Sequence, residues 1–257
     1  MRVAALQIDI AWENPQETFR RTEALAGDAA DRGARVLALP EMFATGFSMR
    51  AEAMAALAGA INDFVADLAR RLDVWLLAGL AEPGRERPAN AYTLVGPDGR
   101  ERLHGRKVHP FSLMAEAEHY EYGSRIRTTE VEGVRITPLV CYDLRFVELF
   151  RAAADRTDCF IVIANWPERR SHAWRTLLAA RAIDCQSYVL GVNRVGSAEG
   201  HPHRGDSALV DPLGEVVATL AGRPGAVVGD VDPAHVAEVR RRYPFLADRR
   251  PEVYRQV

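Results

Sequence analysis

Short apolar runs alternate with longer segments of helical periodicity in the first part of the chain. RVAALQIDI at residues 2–10 predicts a first strand, and RVLALP at residues 35–40 predicts a second strand that a proline ends. Between them, residues 16–32 place apolar and small side chains at helical spacing. Asn14 suits the N-cap of this helix and Pro15 its first position. The chain therefore opens with a predicted strand–helix–strand unit.

The pattern continues with a second helix, a third strand and a hairpin. The helix is predicted from about Glu52 to Arg71, and the strand DVWLLAGL covers residues 73–80. AYTLVGPDGRERL at residues 91–103 predicts a hairpin whose turn contains Pro97, Asp98 and Gly99.

The second half repeats this alternation of strands and helices. Strands are predicted at residues 134–140, 158–165, 187–195 and 226–233, a hairpin at 207–220, and helices at 147–156, 171–186 and from Pro233 to about Arg242. Strands, helices and hairpins in this order predict an α/β fold with mixed sheets. No linker-like segment interrupts residues 1–257, so we expect a single domain. The tail from Tyr243 lacks periodicity, and we expect it to extend into solvent or to dock on a neighbour such as a partner subunit.

Composition narrows the class of protein. The 257 residues are 48% hydrophobic, enough for a large core, and the net charge of −2 gives no indication of a nucleic-acid or membrane surface. The three cysteines form no CxxC pair, which argues against a disulfide framework or a zinc site. The first residues lack a signal-peptide pattern, and no apolar stretch approaches the roughly 18 residues of a membrane span. We expect a cytoplasmic protein.

Three reactive side chains lie where predicted elements end. Glu41 follows the second strand, Lys107 follows the hairpin, and Cys141 directly follows the strand at residues 134–140. Each also has an ordinary explanation, because a lone loop Glu or a basic cluster is usually solvated and a free cysteine is usually buried and inert. Cys159, inside a strand, and Cys185, near a helix end, are interpreted as structural. Taken singly, these residues do not decide a function.

Taken together, the segments around these residues resemble a known family. LALPEMF, GRKVHPF and PLVCYDLRF are similar to the three catalytic motifs of the nitrilase superfamily, the carbon–nitrogen hydrolases. The resemblance extends over nearly the whole chain, including residues 3–15, 163–196 and 205–217. It implies a four-layer α-β-β-α sandwich that forms a homodimer through its helices. It also implies that neither a metal nor an organic cofactor is needed.

The resemblance implies a catalytic triad of Glu41, Lys107 and Cys141. A thiol is mostly protonated near neutral pH and needs an adjacent base or cation to become a nucleophile. Glu41 would take the proton from Cys141 and later give it to the departing ammonia. Lys107 would stabilise the tetrahedral oxyanion together with the backbone N–H of Tyr142. The expected product is a thioester acyl-enzyme, which water then hydrolyses.

Many members of the superfamily carry a second glutamate between the lysine and the cysteine. The segment MAEAEHYEYGS offers Glu116, Glu118 and Glu121. The spacing to Gly123 matches Glu116 best, with Glu118 as the alternative. We expect this residue to position Lys107 or the substrate amide, while a merely solvated acidic loop is the ordinary explanation.

The segments that contain and follow the cysteine are most similar in sequence to the omega-amidase branch. Members of this branch deamidate 2-oxoglutaramate and 2-oxosuccinamate. Such substrates carry a carboxylate far from the amide, so we expect cationic groups at the rim of the pocket. Arg145 is one candidate, with an ion pair to Asp143 or to a nearby acid as its structural alternative. Trp166 is expected to line the pocket or to belong to the core. Further candidates are Pro167 and Trp174 for the lining and Arg169, Arg170 and His172 for the carboxylate.

Other functions stay open at this level. One alternative is an amidase for N-carbamoyl amino acids or deaminated glutathione. Another is a catalytically silent binding protein of the same fold. Pro110 and Val147 differ from the residues that are common at these positions in the branch. This difference weakens the prediction of the substrate more than that of the mechanism. The GDSAL segment makes Ser207 a weak rival nucleophile. We expect Arg204–Asp206 to form an exposed loop and the nearby His201 and His203 to be solvated.

Overall fold

The computed structural model describes residues 1–254, which form two mixed β-sheets packed face to face between helical layers. The strands of the first sheet are β1 (Arg2–Gln7), β2 (Val36–Ala38), β3 (Trp75–Glu82), β4 (Ala89–Val95), β5 (Glu101–Arg106) and β13 (Gly225–Asp230). The strands of the second sheet are β6 (Thr129–Val131), β7 (Val134–Val140), β8 (Cys159–Ala164), β9 (Tyr188–Asn193), β10 (Val195–Ala198), β11 (His201–Val210) and β12 (Val216–Ala221).

Both sheets have a parallel centre with antiparallel edges. The first runs in the order β13-β1-β2-β3-β4-β5, with β1, β2 and β3 parallel. The second runs in the order β10-β11-β9-β8-β7-β6, with β7, β8 and β9 parallel and β12 paired to β11. The helices are α1 (Pro15–Asp31), α2 (Ala51–Ala55), α3 (Ala58–Leu72), α4 (Glu116–His119), α5 (Val147–Ala153), α6 (Ser171–Cys185), α7 (Pro233–Arg242) and α8 (Pro251–Tyr254).

The core has three apolar layers. Residues such as Leu77 of the first sheet and Ile161 of the second pack against one another between the sheets. On the outer faces, α1 and α3 cover the first sheet, while α5 and α6 cover the second. Burial on both faces explains why the central strands read as continuous apolar runs. The predicted α-β-β-α sandwich is confirmed.

Helix boundaries follow the local sequence where capping residues are present. The side chain of Asn14 accepts the backbone N–H of Glu17 at 3.2 Å, and Pro15 begins α1 as predicted. Asp232 caps α7 in the same way, and this helix covers the predicted Pro233–Arg242. A cap fixes a helix start locally, without help from distant residues.

The predicted helix from Glu52 to Arg71 is wrong in one respect, because it is divided into α2 and α3. Met54 of α2 packs with Tyr120 in a small separate cluster, whereas Ile61 of α3 packs on the first sheet. Leu57, between the two helices, contacts both clusters. The predicted helix is interrupted here, where the two helices are buried against different partners.

The region around β10 and β11 also differs from the prediction. The predicted strand at residues 187–195 is divided after Asn193, because the backbone N–H of Val195 donates to Ile8 beside the first sheet, at 2.9 Å. Residues 204–206 belong to β11 and are not an exposed loop; Asp206 is only 3% exposed. A register shift between Gly205 and Ser207 breaks the alternation that would have marked this strand.

The tail returns to its own chain as far as the described residues reach. Arg249 forms an ion pair with Asp155 at 2.6 Å, and Leu246 packs against the cluster between the second sheet and its helices. Residues 255–257 of the predicted tail lie outside the described residues. Within residues 1–254, no helix is long and apolar enough to cross a membrane.

Candidate active site

The ends of strands from both sheets meet at one place. Glu41 follows β2 of the first sheet, and Cys141 follows β7 of the second. A Cβ on Gly79 of β3 would lie 2.7 Å from the Cα of Glu41 and 2.8 Å from the Cδ1 of Ile163 in the second sheet. Only a glycine allows this close approach. The position of Glu41 therefore depends on the packing of the two sheets.

Lys107 lies between two buried carboxylates. Its Nζ is 2.9 Å from Oε1 of Glu41 and 2.8 Å from Oε2 of Glu116, and its side chain is 2% exposed. The Nδ2 of Asn90 donates to Oε1 of Glu41 at 2.8 Å and to Oε1 of Glu116 at 2.9 Å. Buried charges are tolerated when they are paired and hydrogen-bonded. We call Glu41, Asn90, Lys107 and Glu116 the buried charge cluster.

The cluster sets the protonation of the lysine and the thiol. Burial by itself lowers the pKa of Lys107, but Glu116 and Glu41 outweigh it and raise the pKa above its usual range. Burial, followed by the carboxylate of Glu41, raises the pKa of the Cys141 thiol well above its usual value, although Lys107 acts in the opposite direction. The resting site thus holds a charged lysine and a protonated thiol beside a carboxylate able to take its proton.

Cys141 has an unusual backbone conformation and a partly exposed side chain. It begins a 3₁₀ turn, Cys141–Arg145, with φ at +46°, in the left-handed region. The other two cysteines, Cys159 and Cys185, are fully buried in apolar clusters, as predicted. Of the three thiols, Cys141 is the one that lines a cavity.

The structure places Glu116, rather than Glu118, beside Lys107. Glu116 is 1% exposed at the start of α4, and its carboxylate also accepts the backbone N–H of Phe111. Glu118 lies on the exposed side of the same short helix. Of the two glutamates that the spacing left open, only Glu116 is within hydrogen-bonding distance of the lysine.

A cavity of about 240 Å³ extends from Cys141 to the surface. Arg145, Arg169 and Arg170 contribute to its wall, and we call these three residues the arginine rim. The guanidinium of Arg145 lies 5.1 Å from the ring centre of Trp166, and that of Arg170 lies 4.9 Å from the ring centre of Phe111. Other lining residues are Trp12, Phe47, Lys107, Leu113, Met114, Tyr142, Asn165, Pro167, Ala198, Glu199, His201 and His203.

Several predictions for the pocket are corrected by this geometry. Within residues 1–254, Arg145 forms no ion pair with Asp143, which accepts hydrogen bonds from His109 instead. His203 is not solvated but 8% exposed, and burial lowers its pKa to about 4, with Arg194 acting in the same direction. His172 belongs to α6 and does not line the cavity described here.

The other candidates divide between the cavity and the core. Trp166 and Pro167 line the cavity. Trp174 is fully buried, and its Nε1–H donates to the backbone carbonyl of Asp206 at 2.8 Å. Ser207 is also fully buried, and its hydroxyl accepts the N–H of Asn193, so it is not presented as a nucleophile.

Two asparagines that the sequence analysis missed complete the site. Asn90 bridges Glu41 and Glu116 through its side chain. The backbone N–H of Asn165 donates to Oε2 of Glu41 at 3.0 Å, and its side-chain amide donates to the backbone carbonyl of the same glutamate. The available signal for Asn165 was its place at the end of an apolar strand, the position shared by Glu41 and Cys141.

Comparison with known proteins agrees with this geometry. The model of the carbon–nitrogen hydrolase family matches residues 2–241. The chain is 35% identical to omega-amidase YafV of Yersinia enterocolitica, covering 96% of both chains, and 30% identical to 2-oxoglutaramate amidase of Bacillus subtilis, covering 98% of both. A carbon–nitrogen hydrolase superfamily protein of Xanthomonas campestris, solved with an arsenic adduct in its active site, has a TM-score of 0.91 and 30% identity, covering 97% of both chains.

Proposed function

The chain belongs to the carbon–nitrogen hydrolase family and is an amidase, and we propose that it deamidates small carboxylate-bearing amides such as 2-oxoglutaramate and 2-oxosuccinamate. One observation carries this proposal. Lys107 is held between Glu41 and Glu116 at the inner end of a cavity that contains Cys141 and the arginine rim. The inner end supplies the groups for amide chemistry, and the rim supplies charge for an anionic substrate.

In the proposed mechanism, Glu41 removes the thiol proton as Sγ of Cys141 attacks the amide carbon. The ammonium of Lys107 and the backbone N–H of Tyr142 stabilise the resulting oxyanion. The tetrahedral intermediate collapses, the C–N bond breaks, and Glu41 returns the proton so that ammonia leaves. Water, deprotonated by Glu41, then attacks the thioester and releases the carboxylic acid and the free thiol.

Glu116 and Asn90 have supporting roles in this proposal. Glu116 holds the second side of the Lys107 ammonium, so the lysine keeps its place when Glu41 changes protonation. Asn90 donates to both carboxylates and reduces the repulsion between them. A buried ammonium with two hydrogen-bonded partners is preorganised for the oxyanion and need not move during the reaction.

The arginine rim supports a substrate with a carboxylate. Arg145 and Arg170 lie over the aromatic faces of Trp166 and Phe111, which restricts the guanidinium groups. Among residues 1–254, no acid forms an ion pair with either guanidinium. Arginine binds carboxylates in a bidentate manner. The names of the two relatives, omega-amidase and 2-oxoglutaramate amidase, agree with a substrate of this kind.

We also propose that the chain acts as a homodimer in the cytoplasm. Ile183 on α6, Leu213 and Val217 are each about half exposed, and exposed apolar side chains of this kind suit contact with a second subunit. The cysteines of the described residues are free thiols, as is usual in a reducing compartment. Sedimentation of the purified protein at micromolar concentration tests the dimer, and a monomer would contradict it.

The substrate assignment is tested by ammonia release from 2-oxoglutaramate, an N-carbamoyl amino acid, deaminated glutathione and a simple nitrile. We expect the highest kcat/KM for 2-oxoglutaramate. A preference for the N-carbamoyl compound or for deaminated glutathione would overturn the substrate but keep the amidase mechanism. No reaction with any of them would favour a silent binding protein.

A further inference from the structure

Asp143 gathers hydrogen-bond donors from two segments of the chain. Its Oδ1 accepts the backbone N–H of His109 at 2.8 Å and the ring Nδ1 of the same residue at 3.0 Å. Its Oδ2 accepts the backbone N–H of Val140 at 3.2 Å and that of Val108 at 3.3 Å. The side chain is 1% exposed, so these donors replace the water that a carboxylate would otherwise require.

The two segments carry the groups proposed to stabilise the oxyanion. Val108 and His109 directly follow Lys107, in the connection that leaves β5 of the first sheet. Val140 directly precedes Cys141, at the end of β7 in the second sheet. One carboxylate therefore joins the lysine segment to the nucleophile segment across the contact between the sheets.

The conformation of the nucleophile needs such support. A non-glycine residue in the left-handed region costs on the order of 1–2 kcal/mol and persists only where its surroundings determine it. Cys141 has this conformation, with φ at +46°. Asp143 holds the start of its turn through Val140, and Arg181 holds the end by donating to the carbonyls of Leu144 and Arg145 at 3.1 Å each.

The ring of His109 is linked to the cavity wall through Phe146 and Tyr142. It stacks on Phe146 with ring centres 3.6 Å apart and an angle of 10° between the planes. Phe146 in turn meets Tyr142 edge to face at 5.1 Å. Because a carboxylate only accepts hydrogen bonds, Nδ1 of His109 carries the hydrogen shared with Asp143.

We propose that Asp143 and His109 are a positioning pair that fixes the distance between the Lys107 ammonium and the Tyr142 N–H. The proposal rests on the proposed function, in which these two groups bind the oxyanion. Neither member of the pair lines the cavity, and both act through the residues beside them in the chain. Loosening the pair should therefore lower the rate of acyl transfer and leave substrate binding unchanged.

Two substitutions of His109 separate the hydrogen bond from the ring stack. His109→Phe keeps a ring on Phe146 but removes the side-chain donor to Asp143, while the backbone N–H of residue 109 still donates. His109→Asn places an amide donor where Nδ1 was and removes the ring. The readouts are kcat and KM for 2-oxoglutaramate and the rate of Cys141 alkylation by iodoacetamide, followed by peptide mass spectrometry with Cys159 and Cys185 as internal references.

We expect His109→Phe to lower kcat about tenfold, with KM within about twofold of wild type and slower alkylation of Cys141. We expect His109→Asn to keep kcat within about threefold of wild type. Asp143→Asn, which puts an amide donor against backbone N–H groups, should lower kcat more than His109→Phe. Melting temperatures identify any variant whose activity is lost because the protein is unfolded.

Equal kcat for His109→Phe and wild type would overturn the proposal, and so would equal losses in the Phe and Asn variants. A rise in KM at constant kcat would also overturn it, because that result indicates a binding role. If the wild type hydrolyses none of the amides, the alkylation rates decide. Slow alkylation of Cys141 in the Phe variant and fast alkylation in the Asn variant then support positioning of Lys107 beside the thiol by the pair, although the proposed function has failed.

Discussion

The buried charge cluster and the arginine rim lie in one cavity but are built differently. Lys107 and its partners are at most 2% exposed, and each carboxylate of the cluster has donors on several sides. Arg145 and Arg169 are exposed, and Arg145 and Arg170 rest on aromatic rings rather than on acids. The cluster is fixed before a substrate arrives, whereas the rim keeps its donors for a ligand. Substitutions should therefore affect kcat in the first region and KM in the second.

The largest effect is expected at Cys141, the proposed nucleophile beside the buried charge cluster. Cys141→Ala should lower kcat by at least about 10⁴-fold, because no other group in the site can form the thioester. Cys185→Ala is the matched control, since it removes a buried thiol at the C-terminal end of α6, outside the cavity, and should leave kcat unchanged. Steady-state ammonia release measures both, and substantial turnover by Cys141→Ala would contradict covalent catalysis by this residue.

Glu116→Gln should lower kcat by about 10²–10³-fold, because Lys107 loses one of its two carboxylate partners inside a buried site. The control is Glu118→Gln, two residues along the same short helix on its exposed side, which should change kcat less than twofold. Similar losses in the two variants would indicate a general effect of charge in this loop and would remove Glu116 from the cluster.

His203 differs from both regions because it lines the cavity and is buried, and within residues 1–254 it has no carboxylate partner. Its pKa is about 4 in the folded protein, against about 6.5 in an unfolded chain. The unfolded chain therefore binds the proton first, and folding stability is lost as the pH falls from 6.5 towards 4. This residue should reduce the free energy of unfolding by about 2 kcal/mol between pH 7 and pH 5.

Urea unfolding of the wild type and of His203→Gln at both pH values measures the contribution of His203. The difference between pH 7 and pH 5 should be smaller in the variant by that amount. An identical pH dependence in the two proteins would show that His203 is protonated as easily in the folded state as in the unfolded chain.

The smallest effect is expected at the rim. Arg170→Gln should raise KM for 2-oxoglutaramate about tenfold, about 1.4 kcal/mol, and change kcat little. A neutral primary amide is the control substrate, because its KM should not depend on this charge. Equal changes in KM for both amides would mean that Arg170 shapes the cavity and does not bind the carboxylate.

The sequence predicts the two regions unequally. Glu41, Lys107 and Cys141 follow strands or a hairpin, so local patterns locate them, and the family resemblance assigns them roles. Asn90 lies within β4, where its neighbours are apolar, and nothing local shows that it faces two carboxylates. Its role depends on the distance between residues that are far apart in the chain.

The β10–β11 region shows the same limit for the fold. Strand prediction relies on alternation, and the irregular register between Gly205 and Ser207 interrupts it. The same irregular strand carries His201 and His203 to the cavity wall, so the pocket was least predictable where the strand was least regular. By contrast, α7 and the start of α1 were predictable because capping residues act locally.

The proposed function depends on a covalent intermediate that forms on Cys141 beside the buried charge cluster. The most direct test is rapid acid quenching of the enzyme with 2-oxoglutaramate, followed by mass spectrometry of the peptide that contains Cys141. We expect a transient mass increase equal to the substrate minus ammonia on this residue, and none in Cys141→Ala. Ammonia release by Cys141→Ala, with the wild-type peptide unmodified at every quench time, would rule out a covalent intermediate on Cys141.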